Sequence, residues 1–259
     1  MKKIKGFDEK MKKLLLIVPF ICIILLSCAP RPRPIIRLHP ISKEIHWHLG
    51  KEVFSYNDNE ISVAIAFEEA DRKYLIFNLE IANQTKDTIM FVPGQFYYTQ
   101  YIKLEDLTYI RKTKEEVYAI DPEEKILEIE KEISREDASY AGYKLREASV
   151  GFLNFLGFIA NLGKTKTREE MEQEQLQREE DRIDKQEFEK RYMGKIKRFN
   201  NIRDKWKSTT LRKTSLGPNQ IISGRVYFPK CKKENYFIFY FPINHSLIQF
   251  PFQKELHYP

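Results

Sequence analysis

Residues 61–83 read ISVAIAFEEADRKYLIFNLEIAN, two apolar runs separated by a charged segment. Large apolar residues recur at every second position in both runs, which is the period of two typical of a β-strand with one buried face. The large residues are Ile61, Val63, Ile65 and Phe67 in the first run and Leu75, Phe77, Leu79 and Ile81 in the second. The stretch therefore predicts two consecutive strands, each with one face in a core.

Further short apolar segments, separated by turn signals, follow this stretch along the chain. Thr88–Val92 and Gln95–Leu104 follow it directly. Near the end of the chain the predicted strands are 209–214, 220–228, 236–241 and 247–252. The third of these is apolar or aromatic throughout, which predicts a central strand covered on both faces, whereas Pro251 in the last predicts an edge strand. Short strands at this spacing indicate a β-sandwich.

Residues 121–207 have a helical pattern and interrupt the predicted strands. Asp121-Pro122-Glu123-Glu124 is a strong helix start, because aspartate can cap a helix, proline suits its first position and acids oppose the positive end of its dipole. Isoleucines then recur at the spacing of one helix face, at Ile126, Ile129 and Ile133. A second stretch of helix is expected to begin near Ser139.

Ala148–Gly163 contains no charged residue. On a helix its large side chains form one stripe, which consists of Phe152, Phe155, Leu156, Ile159 and Leu162. Its sixteen residues are too few to span a bilayer. We expect this segment to be a helix buried against the sandwich or against its partner helix, and the alternatives are a groove for a protein partner and a contact with a membrane surface.

The next segment, Lys164–Arg191, has 18 charged residues among 28, with the signs mixed, as in a solvated helix. Its apolar residues keep no clean heptad, which argues against a coiled coil. An amphipathic stripe returns at Tyr192, Ile196, Phe199, Ile202 and Trp206. Residues 121–207 are therefore predicted to form a helical hairpin that projects from the sandwich, either as a solvated element or as a partner-binding arm.

The N-terminal segment has the order of a secretion signal. Lys12 and Lys13 precede the apolar run Leu14–Leu26, which is too short for a comfortable permanent span. The run leads into Leu25-Leu26-Ser27-Cys28, which resembles the lipobox of bacterial lipoproteins, although Leu26 is a less typical middle residue. The resemblance implies cleavage between Ser27 and Cys28. Met11 would make a natural start, as an alternative to Met1.

The same resemblance implies that Cys28 becomes the first residue of the mature chain and is lipidated. Several acyl chains, such as palmitate, anchor a protein stably, whereas one chain binds a membrane only reversibly. The implied partner of Cys28 is thus the lipid bilayer, and the implied location is the bacterial cell envelope. Ala29 rather than aspartate follows the cysteine, which resembles outer-membrane sorting in Gram-negative families.

These assignments divide the chain into five parts. Residues 1–27 are a lipoprotein signal peptide, 28–45 a Pro/Arg-rich tether, 46–120 the first half of the β-sandwich, 121–207 the helical insertion and 208–259 the second half. Alternating prolines in the tether, at Pro30, Pro32 and Pro34, favour an extended polyproline II spacer.

The order of strands and turns carries a second resemblance. A strand that ends in Asn83-Gln84-Thr85, a short strand that leads into Pro93-Gly94, and a late segment Ile221–Phe228 are similar to Ig-like domains of bacterial surface lipoproteins. The resemblance implies an α+β chain, an Ig-like antiparallel β-sandwich with a long helical insertion, in which the late strand pairs back onto the first half. It implies no particular chemistry.

Charge and cysteine content exclude two further readings. The net charge is +7, but six lysines against Asp8 and Glu9 place +4 of it in residues 1–27, so no nucleic-acid partner is predicted. Cys22 lies in the signal segment and Cys28 would be lipidated. Cys231 then has no disulfide partner within the mature chain, and we expect an idle turn thiol, with a reactive or intermolecular thiol as the alternative.

No motif for catalysis or for binding a cofactor or metal is recognisable. His46 and His48 would face one way on a strand, as two metal ligands do, but no third ligand is evident nearby, so we expect surface histidines and no metal site. The leading hypothesis is a non-catalytic module that binds or scaffolds a protein partner in the envelope. The alternatives are a hydrolase of envelope polymers with an unrecognised site, and a protein that contacts the membrane surface through residues 148–163.

Overall fold

The computed structural model describes residues 34–103, 109–111, 115–163, 167–230 and 235–258. Arg37–Glu255 forms one compact unit, which contains both helices and the core. The other unit consists of Met1–Ile36 and Leu256–Pro259, of which residues 34–36 and 256–258 are described. The predicted cleavage and lipidation residues, Ser27 and Cys28, and the turn cysteine Cys231 lie outside the described residues.

Over the residues described, the fold is α+β, with antiparallel sheets and two long helices. The strands are β1 Ile35–Pro40, β2 Ile45–His48, β3 Lys51–Asn57, β4 Ile61–Ala70, β5 Tyr74–Asn83, β6 Ile89–Phe91, β7 Tyr97–Lys103, β8 Tyr109–Arg111, β9 Val117–Tyr118, β10 Thr214–Leu216, β11 Ile221–Pro229, β12 Tyr236–Ile243 and β13 Ser246–His257. The helices are α1 Pro122–Ala160 and α2 Arg168–Thr209. A five-stranded sheet has the order β11-β5-β4-β3-β2, a six-stranded sheet has the order β1-β13-β12-β7-β8 with β9 beside β7, and β10 pairs with β6.

The two strands predicted from residues 61–83 are confirmed as β4 and β5. They pair antiparallel with Ile65 opposite Leu79, and a register shift follows Phe67. The large apolar residues of both strands are buried, while most of their neighbours in the chain are more exposed. The period of two thus places one face of this hairpin in the core.

Phe77 lies at the centre of the core between the two sheets. Its ring lies 4.6 Å from that of Phe239 and 5.3 Å from that of Phe252, both on the six-stranded sheet. It also contacts the rings of Phe67 and Phe228 on its own sheet. Because edge-to-face aromatic contacts join the sheets here, the core is held by rings rather than by aliphatic side chains alone.

The late strand returns to the first half of the chain. β11 pairs antiparallel with β5 over its whole length, and Val226 lies opposite Phe77. At the far end of β5, the buried Asn83 donates from Nδ2 to the carbonyls of Asp87 and Leu216, at 2.8 and 2.9 Å. The Asn-Gln-Thr segment is therefore a turn whose asparagine side chain holds β5 to the β10 segment.

The tether prediction extends too far along the chain. β1 lies within residues 28–45 and joins the edge of the six-stranded sheet, where Leu38 is buried in the core. The backbone N–H of Ile41 donates to the carbonyl of Pro251 at 2.8 Å. The apolar residues after Pro34 thus form a strand, and the proline pattern does not extend through this part of the segment.

Three expectations about the closing strands are corrected. Residues 209–214 are not a strand, because α2 continues to Thr209 and β10 begins at Thr214. Pro251 lies in β13, between β1 and β12, and not at an edge. The carbonyl of Pro251 points toward β1. Because the N–H and C=O of a residue in an antiparallel strand point to the same side, the N–H that proline lacks would face the end of β1. β12 is central, as predicted, but only alternate residues are fully buried.

Gly224 and Gly142 are expected to respond oppositely to alanine. A Cβ at Gly224 would lie 2.7 Å from the backbone nitrogen of Leu211, whereas one at Gly142, within α1, meets nothing within 4 Å. We expect Gly224→Ala to lower the free energy of unfolding by about 1–3 kcal/mol and Gly142→Ala to raise it by about 0.5–1 kcal/mol. Urea unfolding measures both, and equal effects would contradict the close approach at Gly224.

Candidate functional site

The base of the helical hairpin docks on the five-stranded sheet. Ile76 and Tyr227, on the sheet face opposite the core, form a second buried cluster with Ile126 and Ile129 of α1 and Trp206 of α2. The rings of Trp206 and Tyr227 have centroids 4.5 Å apart. The predicted helix start is confirmed, since Asp121 caps α1 by accepting from the N–H of Glu123 at 2.8 Å. The base is thus fixed by a cap and by apolar contacts.

Beyond the base, α1 and α2 run antiparallel as a stem. Tyr140 stacks on Tyr192 with ring centroids 4.2 Å apart, and Tyr143 stacks on Phe188 at 4.0 Å. Ion pairs join the helices along the stem: Glu130–Lys207, Glu136–Lys195, Lys144–Glu189 and Glu147–Lys185. Helix α1 is continuous from Pro122 to Ala160, so no break precedes Ser139.

The ion pairs of the stem make its stability depend on pH. Hydrogen bonds from Lys185 and Lys207 hold the pKa values of Glu147 and Glu130 below their ordinary value of 4.5. A carboxyl with a lowered pKa in the folded state contributes stability above 4.5, and this stability is lost as the pH falls through the lowered pKa. We expect the melting temperature of the helices to fall below about pH 4.5. Circular dichroism measures it, and Glu147→Gln should show a smaller fall; a midpoint independent of pH would contradict the prediction.

The distal tip, which we define as residues 148–163, is exposed throughout. Phe152, Phe155 and Phe158 are 61%, 57% and 62% exposed. The expectation that this segment is buried against the sandwich or its partner helix is therefore wrong. At a rise of 1.5 Å per residue, Ala148 lies roughly 33 Å along α1 from the buried Ile126. The length of the helix therefore places the distal tip far from the hairpin base, which docks on the sheet.

Large apolar side chains cover more than half of the circumference of the tip. With about 100° between successive residues, they extend from Phe158 through Phe155, Phe152 and Leu156 to Leu153, an arc of about 220°. Asn154 and Gly157 lie in the remaining sector together with the half-exposed Val150. Single exposed apolar side chains of this size are common on protein surfaces, whereas a continuous patch of them is typical of an interaction site.

A second surface is an open trough of about 880 Å³ on the outer face of the five-stranded sheet. One row of directly opposed residues crosses all five strands within it: His46, Val53, Ala66, Asn78 and Arg225. Arg225 forms two hydrogen bonds with the carboxylate of Glu68, which is largely buried. The charged groups of Arg225 and Glu68 therefore satisfy each other. The other four residues of the row have small or polar side chains.

The structure brings together some of the residues singled out from the sequence. His46 and His48 both line the trough from β2, beside Lys51. Sequence inspection missed the Glu68–Arg225 pair, because residues so distant in the chain become neighbours only through strand register. The alternation of Ser62, Ala64 and Ala66 with large residues was a usable signal, since small side chains on an outer sheet face leave a depression.

Ser27 and Cys28, for which cleavage and lipidation are predicted, lie outside the described residues. Among the residues that are described, no helix has both the length and the apolar content needed to cross a bilayer. No protein-family model, curated protein or solved structure matches the chain. Support for a function therefore comes from the chain's own residues.

Proposed function

We propose that the protein is a lipoprotein of the bacterial cell envelope, anchored through acylated Cys28, that binds or scaffolds another envelope protein without catalysing a reaction. In a source with two membranes, Ala29 favours the outer membrane. The sheets form an Ig-like sandwich in this proposal, and support for it comes from the shared aromatic core and from the pairing of β11 with β5.

The observation that carries the binding part of the proposal is the exposed distal tip. The hairpin that carries the tip is docked on the sheet at its base, and its stem is held by stacked rings and ion pairs. A rigid support with an uncovered apolar end is the arrangement expected of a binding arm, because the surface is presented without an ordering cost in the support. Contact of the same tip with a membrane surface is the second candidate, and the same exposure favours it.

Anchoring is tested by labelling growing bacteria with radioactive palmitate. We expect label on the wild-type chain and recovery in the membrane fraction, and we expect neither for Cys28→Ala. The matched control is Cys231→Ala, which should remain labelled. Label retained by Cys28→Ala would contradict lipidation at this residue.

The binding arm is tested by removing residues 148–184 from the full chain and joining Glu147 to Lys185 through a short glycine-serine loop. These two residues already form an ion pair across the stem, so the base and lower stem are retained. We expect the shortened chain to lose its crosslinks to other proteins in the native envelope. Unchanged crosslinks would contradict a binding role of the arm.

A further inference from the structure

The charges of the hairpin are divided between its two ends. Residues 168–184 of α2 contain eight acidic and three basic residues, whereas 185–209 contain three acidic and nine basic residues. Opposite the basic half, residues 122–137 of α1 contain seven acidic and three basic residues. The ion pairs Glu130–Lys207 and Glu136–Lys195 join these oppositely charged segments. The lower hairpin is thus electrostatically complementary within itself.

The distal half of the hairpin has no such complement. Residues 148–163 of α1 carry no charge, so they cannot balance the acids of 168–184. The arginines of this α2 segment each bind a glutamate of the same helix, in the pairs Arg168–Glu172, Arg178–Glu174 and Arg182–Glu179.

The remaining acids leave the distal half negative. Within the part of the chain that the structure describes, Glu180, Asp181 and Asp184 have no cationic partner. Even with Lys164 and Lys166 counted, residues 148–184 carry five basic against eight acidic residues.

The distal half of the hairpin therefore combines two features. One helix presents the apolar arc around Phe155, and the adjacent helix presents uncompensated carboxylates. An apolar surface lined on one side by acids complements a helix that is apolar on one face and basic on the other. Such a partner would cover the aromatic rings and neutralise the carboxylates together.

We propose that the distal half of the hairpin binds a basic amphipathic helix of a partner protein. The proposal rests on the binding function proposed above and gives the chemistry of its partner. A second copy of the chain would bring two acidic tips together, and a bilayer rich in anionic lipid would repel the same carboxylates. Charge therefore favours the basic helix over both.

The probe is a fluorescent synthetic peptide of about 18 residues, long enough to form a helix, with leucine on one face and lysine on the other. Its counterpart has glutamate in place of lysine. The full chain is held in nanodiscs of zwitterionic lipid, empty nanodiscs give the background, and fluorescence anisotropy measures binding. We expect the lysine peptide to bind above background and the glutamate peptide not to bind.

Two tip variants and one matched control define the surface. Phe152→Ser with Phe155→Ser removes apolar area, and Glu180→Lys with Asp181→Lys reverses charge. Each pair is expected to weaken binding about tenfold or more, and the charge-reversed chain should lose most of its salt dependence. Leu127→Ser, at an exposed leucine of the hairpin base, should bind as the wild type does. Circular dichroism verifies that all variants retain their helices.

Three results would overturn the inference. They are equal binding of both peptides, binding of the lysine peptide that survives both tip variants, and tip-dependent self-association or binding to anionic vesicles without peptide binding. If the lysine peptide fails while envelope crosslinks still require residues 148–184, the partner chemistry is wrong and the proposed function stands. Crosslinks that persist without that segment contradict the proposed function itself.

Discussion

Phe77→Ala is expected to lower the free energy of unfolding by about 3–5 kcal/mol. Phe77 is fully buried, and its ring contacts four other phenylalanine rings from both sheets. Alanine would leave a cavity at the point where the sheets meet, and surrounding strands fixed by backbone pairing can relax only in part. Urea unfolding followed by circular dichroism measures the change.

The control for Phe77 is another phenylalanine in a different environment. Phe152→Ala, at a position 61% exposed on the distal tip, should change the free energy of unfolding by less than about 0.5 kcal/mol. If Phe77→Ala leaves too little folded protein, Phe77→Leu provides a milder change at the same site. Equal losses at positions 77 and 152 would mean that the core does not lie between the two sheets.

Trp206→Ala is expected to free the hairpin base from the five-stranded sheet, at a cost of about 3–5 kcal/mol. Trp206 is 7% exposed and packs on Tyr227 and the isoleucines of α1. The base cluster is small, so loss of its largest side chain should weaken docking of both helices. The two sheets have their own core and should keep their structure.

Hydrogen exchange distinguishes undocking of the hairpin from unfolding of the sheets. In Trp206→Ala, amides near Ile126 and Ile202 should exchange faster, while those of β4 and β5 should remain protected. Leu127→Ala, at a half-exposed leucine of α1 in the hairpin base, is the control and should leave exchange unchanged. Faster exchange throughout the sheets would show that the hairpin and the sheets unfold as one unit.

The strands and helix ends that sequence alone predicted are those with strong local signals. The alternation in 61–83 predicted β4 and β5, and Asp121-Pro122 predicted the start of α1. β1 was not predicted, because the adjoining prolines led to the assignment of all of residues 28–45 to the tether. The start of α2 was also missed, although Thr167 and Glu170 have the spacing of a capping box and form one.

The candidate site was less accessible to sequence reasoning. An uncharged segment such as 148–163 has the same composition whether it is buried or exposed, so its sequence favoured burial. Its exposure follows from the length of α1 and from where the base docks, and both are tertiary properties. The separation of α2 into an acidic and a basic half was visible in the sequence. It could be related to the candidate site only through the antiparallel pairing, which places 168–184 beside the uncharged tip.

The most direct test of the binding role is site-specific photocrosslinking in living cells. A photoreactive amino acid replaces Phe155 on the distal tip or, as the control, Leu127 on the exposed side of the base. We expect a discrete crosslinked protein from position 155 that is absent from position 127. Crosslinks of equal yield from both positions, or crosslinks from position 155 to lipid alone, would contradict a protein-binding arm.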